Sequence, residues 1–465
     1  MSMIMEKRDI ANYDFLTKAP VSRVVITLAF PTILSMLTTS SYNIIDTYFV
    51  SLLGTKATVA VGISFVVMAL LQAIGFLFGC GVGNYVAIRL GARDLKRAQL
   101  MTSIGLIFAL STGVIVTIIG LSLIDSLSFC LGGNQEIASV AKKYLRFILL
   151  SAPFIIGSFM LNQQLRMQGK AKVATIGIIS GLLLNILLDP LFILGFKSDI
   201  SGIGAATLIS QAFSFFILLR LVFHSDCPPL TTGINLDFNY LRPIIIGGLP
   251  SFIRQLLGCI TIFLLNLSAT MYGEGAIAAI TITTRITFVV VSIITGLAQG
   301  FQPLCGFCYG AGLYNRIKAA FKFTVFLGTV FLVGTMLFGL AFIPELFSIF
   351  TNDPDIIDLG SEALFYQMLV FPIETYIILA SMLLQTMNYT SYATLIALVR
   401  KGILFIPLIV ILPIAYGFRG VEICQPVCDI VTFVIAIPLV TKTFAKMKDG
   451  YFTSVLNKYS VVSQF

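Results

Sequence analysis

Twelve stretches of mostly apolar residues follow one another along this chain, each long enough to cross a bilayer as a helix, for which about 20 residues suffice. They fall near residues 24–50, 60–88, 99–124, 143–165, 173–196, 202–223, 243–272, 276–303, 319–343, 362–387, 392–416 and 420–440. Lipid offers the backbone no hydrogen-bond partner, so a spanning segment must be a helix or a strand of a closed barrel. These runs are continuous rather than alternating, which selects helices. Polar or turn-forming breaks at 91–97, 132–136, 169–172 and 351–355 separate some of them. Only 11% of the 465 residues are charged and 57% are hydrophobic, whereas a soluble domain carries about 25% charge. Too little charge remains to cover a water-facing surface. The expected fold is all-α and integral to a membrane, with about twelve transmembrane helices.

The first run begins near Val24 after a charged stretch and is too long for the core of a cleavable signal, so it reads as the first span. An even number of spans puts both termini on one side. If that side is the cytoplasm, 22 of the 30 Lys and Arg residues are inside, Arg400 and Lys401 among them. Six are outside (Lys56, Lys142, Lys143, Arg146, Lys197 and Arg419), and Arg254 and Arg285 lie within spans. This bias predicts cytoplasmic termini and accounts for the net charge of +9 without any nucleic-acid partner.

The sequence also repeats. A shift of 219 residues carries Pro31 onto Pro250, Gly54 onto Gly273, Gly81 onto Gly300, Gly91 onto Gly310, Arg97 onto Arg316 and Pro153 onto Pro372. Six spans separate the copies, so the halves share one orientation, a parallel repeat of the kind found in transporters. The expected organisation is a cytoplasmic segment 1–23, a first lobe 24–223, a cytoplasmic linker 224–242, a second lobe 243–440 and a cytoplasmic tail 441–465. Two pseudo-symmetric six-helix bundles around a cleft suit alternating access.

An enzyme is not expected. The one histidine, His224, lies in a polar connection, and the Cys305/Cys308 pair has neither a second pair nor a histidine beside it. The cysteines read as small packing residues rather than metal or redox ligands, and no cofactor is implied.

Ionisable groups inside spans are costly and so mark function. Asp46 lies near the outer end of the first span and Asp189 some seven residues from the outer end of the fifth, with Asn185 one turn away on the same face. Thr207 enters the sixth span at a similar depth. Two carboxylates, an amide and a hydroxyl supply hard oxygens, suited to a proton or a small hard cation such as Na+. The competing reading makes Asp46 and Asp189 helix-end residues that touch water. Pro31 and Pro190 each remove a backbone hydrogen bond, which makes them candidate hinges. The second half does not copy this site, since Asp46 maps to Leu265 and Asp189 to Leu408. It carries Arg254, Arg285, Glu374, Arg400 and Asp429 instead. Arg254 and Glu374 both sit near mid-depth, where pairing with each other would lower their cost. Tyr42, Gln163, Arg254 and Glu374 are the candidate substrate contacts, although a glutamine at such a site also serves as an interhelical hydrogen bonder.

The length, the twelve spans and the six-plus-six repeat resemble the multidrug and toxic compound extrusion (MATE) family, in the detail its MepA-like and DinF-like branches. The similarity is carried by Asn43–Thr47, Asn185–Pro190, Gly202–Thr207, Leu165–Gly169 and Gln302–Ala311, in order along nearly the whole chain. The resemblance implies an antiporter in a plasma membrane, in bacteria the inner membrane. There, inward Na+ or H+ drives export of organic, often cationic or aromatic, amphipathic compounds by a rocker-switch cycle. It also implies that Asp46, Asn185, Asp189 and Thr207 form the cation site. The expected partners are the lipid bilayer and small organic cations or other amphipathic compounds, with no nucleic acid and the protein acting as a monomer. The rival within the same superfamily is a flippase for lipid-linked oligosaccharides, whose cleft would need more Arg and Lys.

Overall fold

The computed structural model describes residues 12–51, 53–132, 135–196, 198–225, 227–229 and 238–447, with side chains for all of these except 39–48, 51 and 132. The first half is built from α1 (Val21–Ser51), α2 (Thr55–Gly91), α3 (Leu95–Ser122), α4 (Ile124–Gly132), α5 (Gln135–Leu150), α6 (Ala152–Met167), α7 (Ala171–Pro190) and α8 (Ile200–Phe223). The second half is built from α9 (Leu241–Ala269), α10 (Glu274–Gly310), α11 (Tyr314–Ala341), α12 (Ile343–Ser348), α13 (Pro354–Leu369), α14 (Phe371–Thr386), α15 (Thr390–Leu398), α16 (Phe405–Tyr416) and α17 (Phe418–Lys446). Among the described residues there is no strand.

Ten helices are long and apolar enough to cross a membrane, and two bent pairs bring the number to twelve. These pairs are α5 with α6, bent by 49°, and α13 with α14, bent by 55°. Pro153 and Pro372 open the second member of each pair. A proline there has no N–H to give to the preceding turn, so the chain can change direction at little cost. The apolar runs of the sequence correspond to these twelve crossings.

The repeat extends to the helix ends. Adding 219 carries the bounds of α2, α3, α5 and α6 onto those of α10, α11, α13 and α14, residue for residue. Backbone geometry follows the same rule. Positive φ recurs at Gly54 (96°) and Gly273 (97°), at Arg93 (59°) and Gly312 (74°), and at Gly169 (80°) and Asn388 (65°). The copies diverge late, where a π-helical turn sits at Leu191–Gly195 in one half and at Val399–Ile403 in the other.

The halves meet through α1 and α2 of the first and α9 and α10 of the second. A Cβ at Gly91 would collide with the Phe307 carbonyl, and one at Gly310 with the Ile88 carbonyl, a pair related by the repeat. Gly248 lies against the backbone of Leu77, and Gly296 against that of Ile33. Glycine lets backbones touch, which is how helices pack closely in lipid. All these approaches lie on the membrane half where α1 begins and α2 ends. On the same side a helical stretch, 12–18, spans both halves. Asn12 donates to the Gln168 carbonyl (2.8 Å) and Arg93 stacks over Tyr13 at 4.6 Å, both in the first half. From the second half, Arg316 donates to the carbonyls of Leu16 (3.0 Å) and Ala19.

Candidate functional site

The first-lobe site forms where α7 and α8 run antiparallel. Gly177 packs on Leu218 and Gly181 on Ser214, while Ser214 donates to the Gly177 carbonyl at 2.9 Å. That register, carried on by one and two turns, puts Asn185 level with Ser210 and Asp189 level with Thr207. The Asn185 amide donates to Asp189 Oδ1 at 3.0 Å. Asp189 is fully buried, and Asn185 (3% exposed), Ser210 and Thr207 nearly so. Burial of the carboxylate excludes the reading of Asp189 as a helix-end residue touching water. The Thr207 hydroxyl donates to the Ile203 carbonyl at 3.0 Å, which turns its lone pairs away from its own helix. The structure thus brings together three of the four residues expected from sequence and adds Ser210. A serine one turn along the same face of α8 was the signal for it. The side chains of Asp46 and Tyr42 lie outside those described.

Both candidate hinges carry specific local structure. After Pro190 the helix widens into the π turn Leu191–Gly195, with the Phe196 N–H donating to the Leu191 carbonyl at 3.0 Å. The Pro31 carbonyl accepts a hydrogen bond from Thr175 at 3.0 Å, and Thr32 donates to the Gly296 carbonyl of the other half at 2.7 Å. The proline of α1 is therefore tied both to α7 and across the lobe boundary.

In the second lobe the pairing differs from expectation. Glu374 bonds to Arg400 at 2.5 Å, not to Arg254, and the same guanidinium reaches Asp429 at 2.6 Å. Gln425 donates to Asp429 at 3.0 Å. Arg400 and Lys401 are not loop residues as the charge count had them; they lie inside the span formed by α15 and α16, in the π turn Val399–Ile403. The two carboxylates offset the cost of burying that cation. Arg254 instead donates to Ser251 at 3.0 Å, and Ser251 to Gln385 at 2.9 Å. Arg285 is exposed. Gln163 is buried between α6 and α2, its amide donating to Cys80 Sγ at 3.2 Å. Sequence reading missed Arg166 of α6, which bonds to Gln299 of α10 in the buried seam between the halves. Nothing local in the sequence links residues so far apart.

A family model described as MatE matches this chain twice, over residues 31–191 and 250–411. The multidrug export protein MepA of Staphylococcus aureus (strain MSSA476) is 29% identical over 413 residues, covering 88% of this chain and 90% of that protein. MepA of Staphylococcus saprophyticus is 28% identical over 437 residues, with coverage of 90% and 94%. Among solved structures, MATE in complex with MaL6 superposes with a TM-score of 0.88 at 25% identity, covering 94% of this chain and 99% of that one. The outward-facing conformation of a multidrug resistance MATE family transporter of the MOP superfamily gives 0.87 at 26%, covering 93% and 98%.

Proposed function

The chain belongs to the MatE (multidrug and toxic compound extrusion) family, whose members are transporters and not enzymes, and from that premise we propose that it exports organic cations in exchange for Na+ or H+ bound in its first lobe. Export of multiple drugs is what its MepA relatives are named for. The observation that carries the ion-coupling part is the buried pair Asn185 and Asp189 on α7, level with Thr207 and Ser210 on α8. A carboxylate held out of water costs several kcal/mol unless a cation or proton answers it, so occupancy by either one stabilises the packed site. The parallel register set by the Thr175–Pro31 bond, carried up α7 and α1 at equal rise, brings position 46 to the height of Asp189. That height supports Asp46 as the second acid of the proposed site.

With cytoplasmic termini, the closed seam at Gly91, Gly248, Gly296 and Gly310 is the inner gate, and the conformation is outward-facing. Drug release precedes this state. Cation entry at Asp189 then neutralises the site, α1 and α7 repack through the Pro31 tie, and the seam parts to admit the next substrate. A coupling of about 1–3 kcal/mol between the two sites is enough for such exchange. The flippase reading gains nothing, because Arg400 is already matched by Glu374 and Asp429.

The test is efflux of a cationic dye from proteoliposomes under separately imposed sodium and proton gradients. One of the gradients should drive efflux by the wild type. Asp189→Asn should lose that drive at least tenfold while inserting and melting normally. Gradient-driven efflux by Asp189→Asn at the wild-type rate would sink the assignment.

A further inference from the structure

A cavity of about 150 Å3 lies within the second lobe, away from the α7–α8 site, walled by α9, α10, α13, α14 and α17 together with the π turn Val399–Ile403. A cavity of that size holds a molecule about as large as benzene. Much of its wall is apolar, including Ile262, Leu265, Phe288 and Val421. The lining also presents oxygens that nothing among the described residues satisfies. Glu422 is 5% exposed, and neither of its carboxylate oxygens has a hydrogen-bond partner. Oε1 of Gln425, Oε2 of Glu374 and the Thr287 hydroxyl are likewise buried without a partner.

The charge around the cavity sharpens this picture. Arg400 is taken by Glu374 and Asp429, and Arg419 by Glu362 at 2.9 Å. Lys401 also lines the wall. Of the four carboxylates Glu362, Glu374, Glu422 and Asp429, only Glu422 makes no ion pair among the described residues. Buried acceptors without donors destabilise the folded state, and a ligand rich in N–H groups would remove that cost.

We infer that this second-lobe cavity is a binding site for a small primary ammonium compound, its –NH3+ group held by Glu422 and Gln425 and its hydrocarbon part lying on the apolar wall. A primary ammonium has three N–H donors for these acceptors and one positive charge for the unpaired Glu422. A quaternary ammonium has the charge without the donors. A bare metal ion is a poor fit, because much of the wall is apolar. Among the described residues no group of three or more His, Cys, Asp or Glu is placed to hold a metal ion. The site is independent of the proposed coupling residues, which lie in the other lobe.

The experiment is calorimetric titration of the full-length protein in nanodiscs with cyclohexylammonium, with cyclohexanol as the neutral isostere and NaCl as the bare-cation control. Wild type should bind cyclohexylammonium and show no heat with cyclohexanol. Glu422→Gln should weaken binding at least tenfold and Thr287→Val should weaken it less. If Glu422→Gln fails to fold, Gln425→Leu takes its place with the same expected loss. Equal affinity in wild type and Glu422→Gln, or equal heats from sodium and the amine, would overturn the inference.

Discussion

Gly54 and Gly273 show how much a single backbone conformation can demand. Their φ and ψ pairs, 96°/172° and 97°/174°, lie in a region that only glycine occupies without strain. A Cβ at either position would meet nothing within 4 Å. Gly54→Ala or Gly273→Ala should therefore destabilise the protein by backbone strain alone, by about 1–3 kcal/mol each, read as a lowered thermal midpoint in detergent. Arg400 is the contrasting case, because its role lies wholly in its partners. Arg400→Met strands Glu374 and Asp429 as buried, unanswered charges, at an expected cost of about 3–5 kcal/mol. Adding Glu374→Gln and Asp429→Asn to that variant should restore most of the loss in the same melting assay, and no recovery would show that the arginine acts through packing.

At the scale of elements, the seam between α2 and α10 and their neighbours depends on small residues. Gly310 faces the Ile88 carbonyl, so Gly310→Val has no room to close. Cys305 and Cys308 lie buried on the same stretch of α10. Gly310→Val should accelerate their reaction with a membrane-permeant maleimide several-fold while the protein still folds; unchanged protection would mean that the seam closes without the glycine. The helices themselves were legible in the sequence because lipid imposes a length that apolar composition alone meets. The bends were half legible. Pro153 and Pro372 marked them by their matched spacing, but nothing in the composition indicates a change of direction. The π turn at Val399–Ile403 is not legible in the sequence, and a count of positive charge sets Arg400 with the cytoplasmic residues although it falls within the run 392–416. One extra residue in a turn rotates the following side chains, and only the partners supplied by α14 and α17 reveal where they point.

For the whole molecule, the repeat proved the most informative signal in the sequence. A constant offset of 219 foretold two lobes of equal build, and it holds for helix ends and for backbone angles as well as for matched residues. Asn185, Asp189 and Thr207 could be grouped by depth because helical rise converts position into height. Pairings between distant side chains escaped the same reasoning. Arg254 and Glu374 share a depth, which suits an ion pair as well as two substrate contacts, and depth says nothing about azimuth around the bundle. The contact between Arg166 and Gln299 joins the lobes, so it follows from how the halves dock rather than from either half.

The helical stretch 12–18 precedes the first repeat and is fastened to both copies through Asn12, Tyr13, Leu16 and Ala19. The two halves are thus held together by a clasp as well as by their packed backbones. Any separation of the halves on that face has to break the hold of Gln168 and Arg93 on one end of the clasp or that of Arg316 on the other, so a few residues ahead of the first span set how firmly that face stays shut.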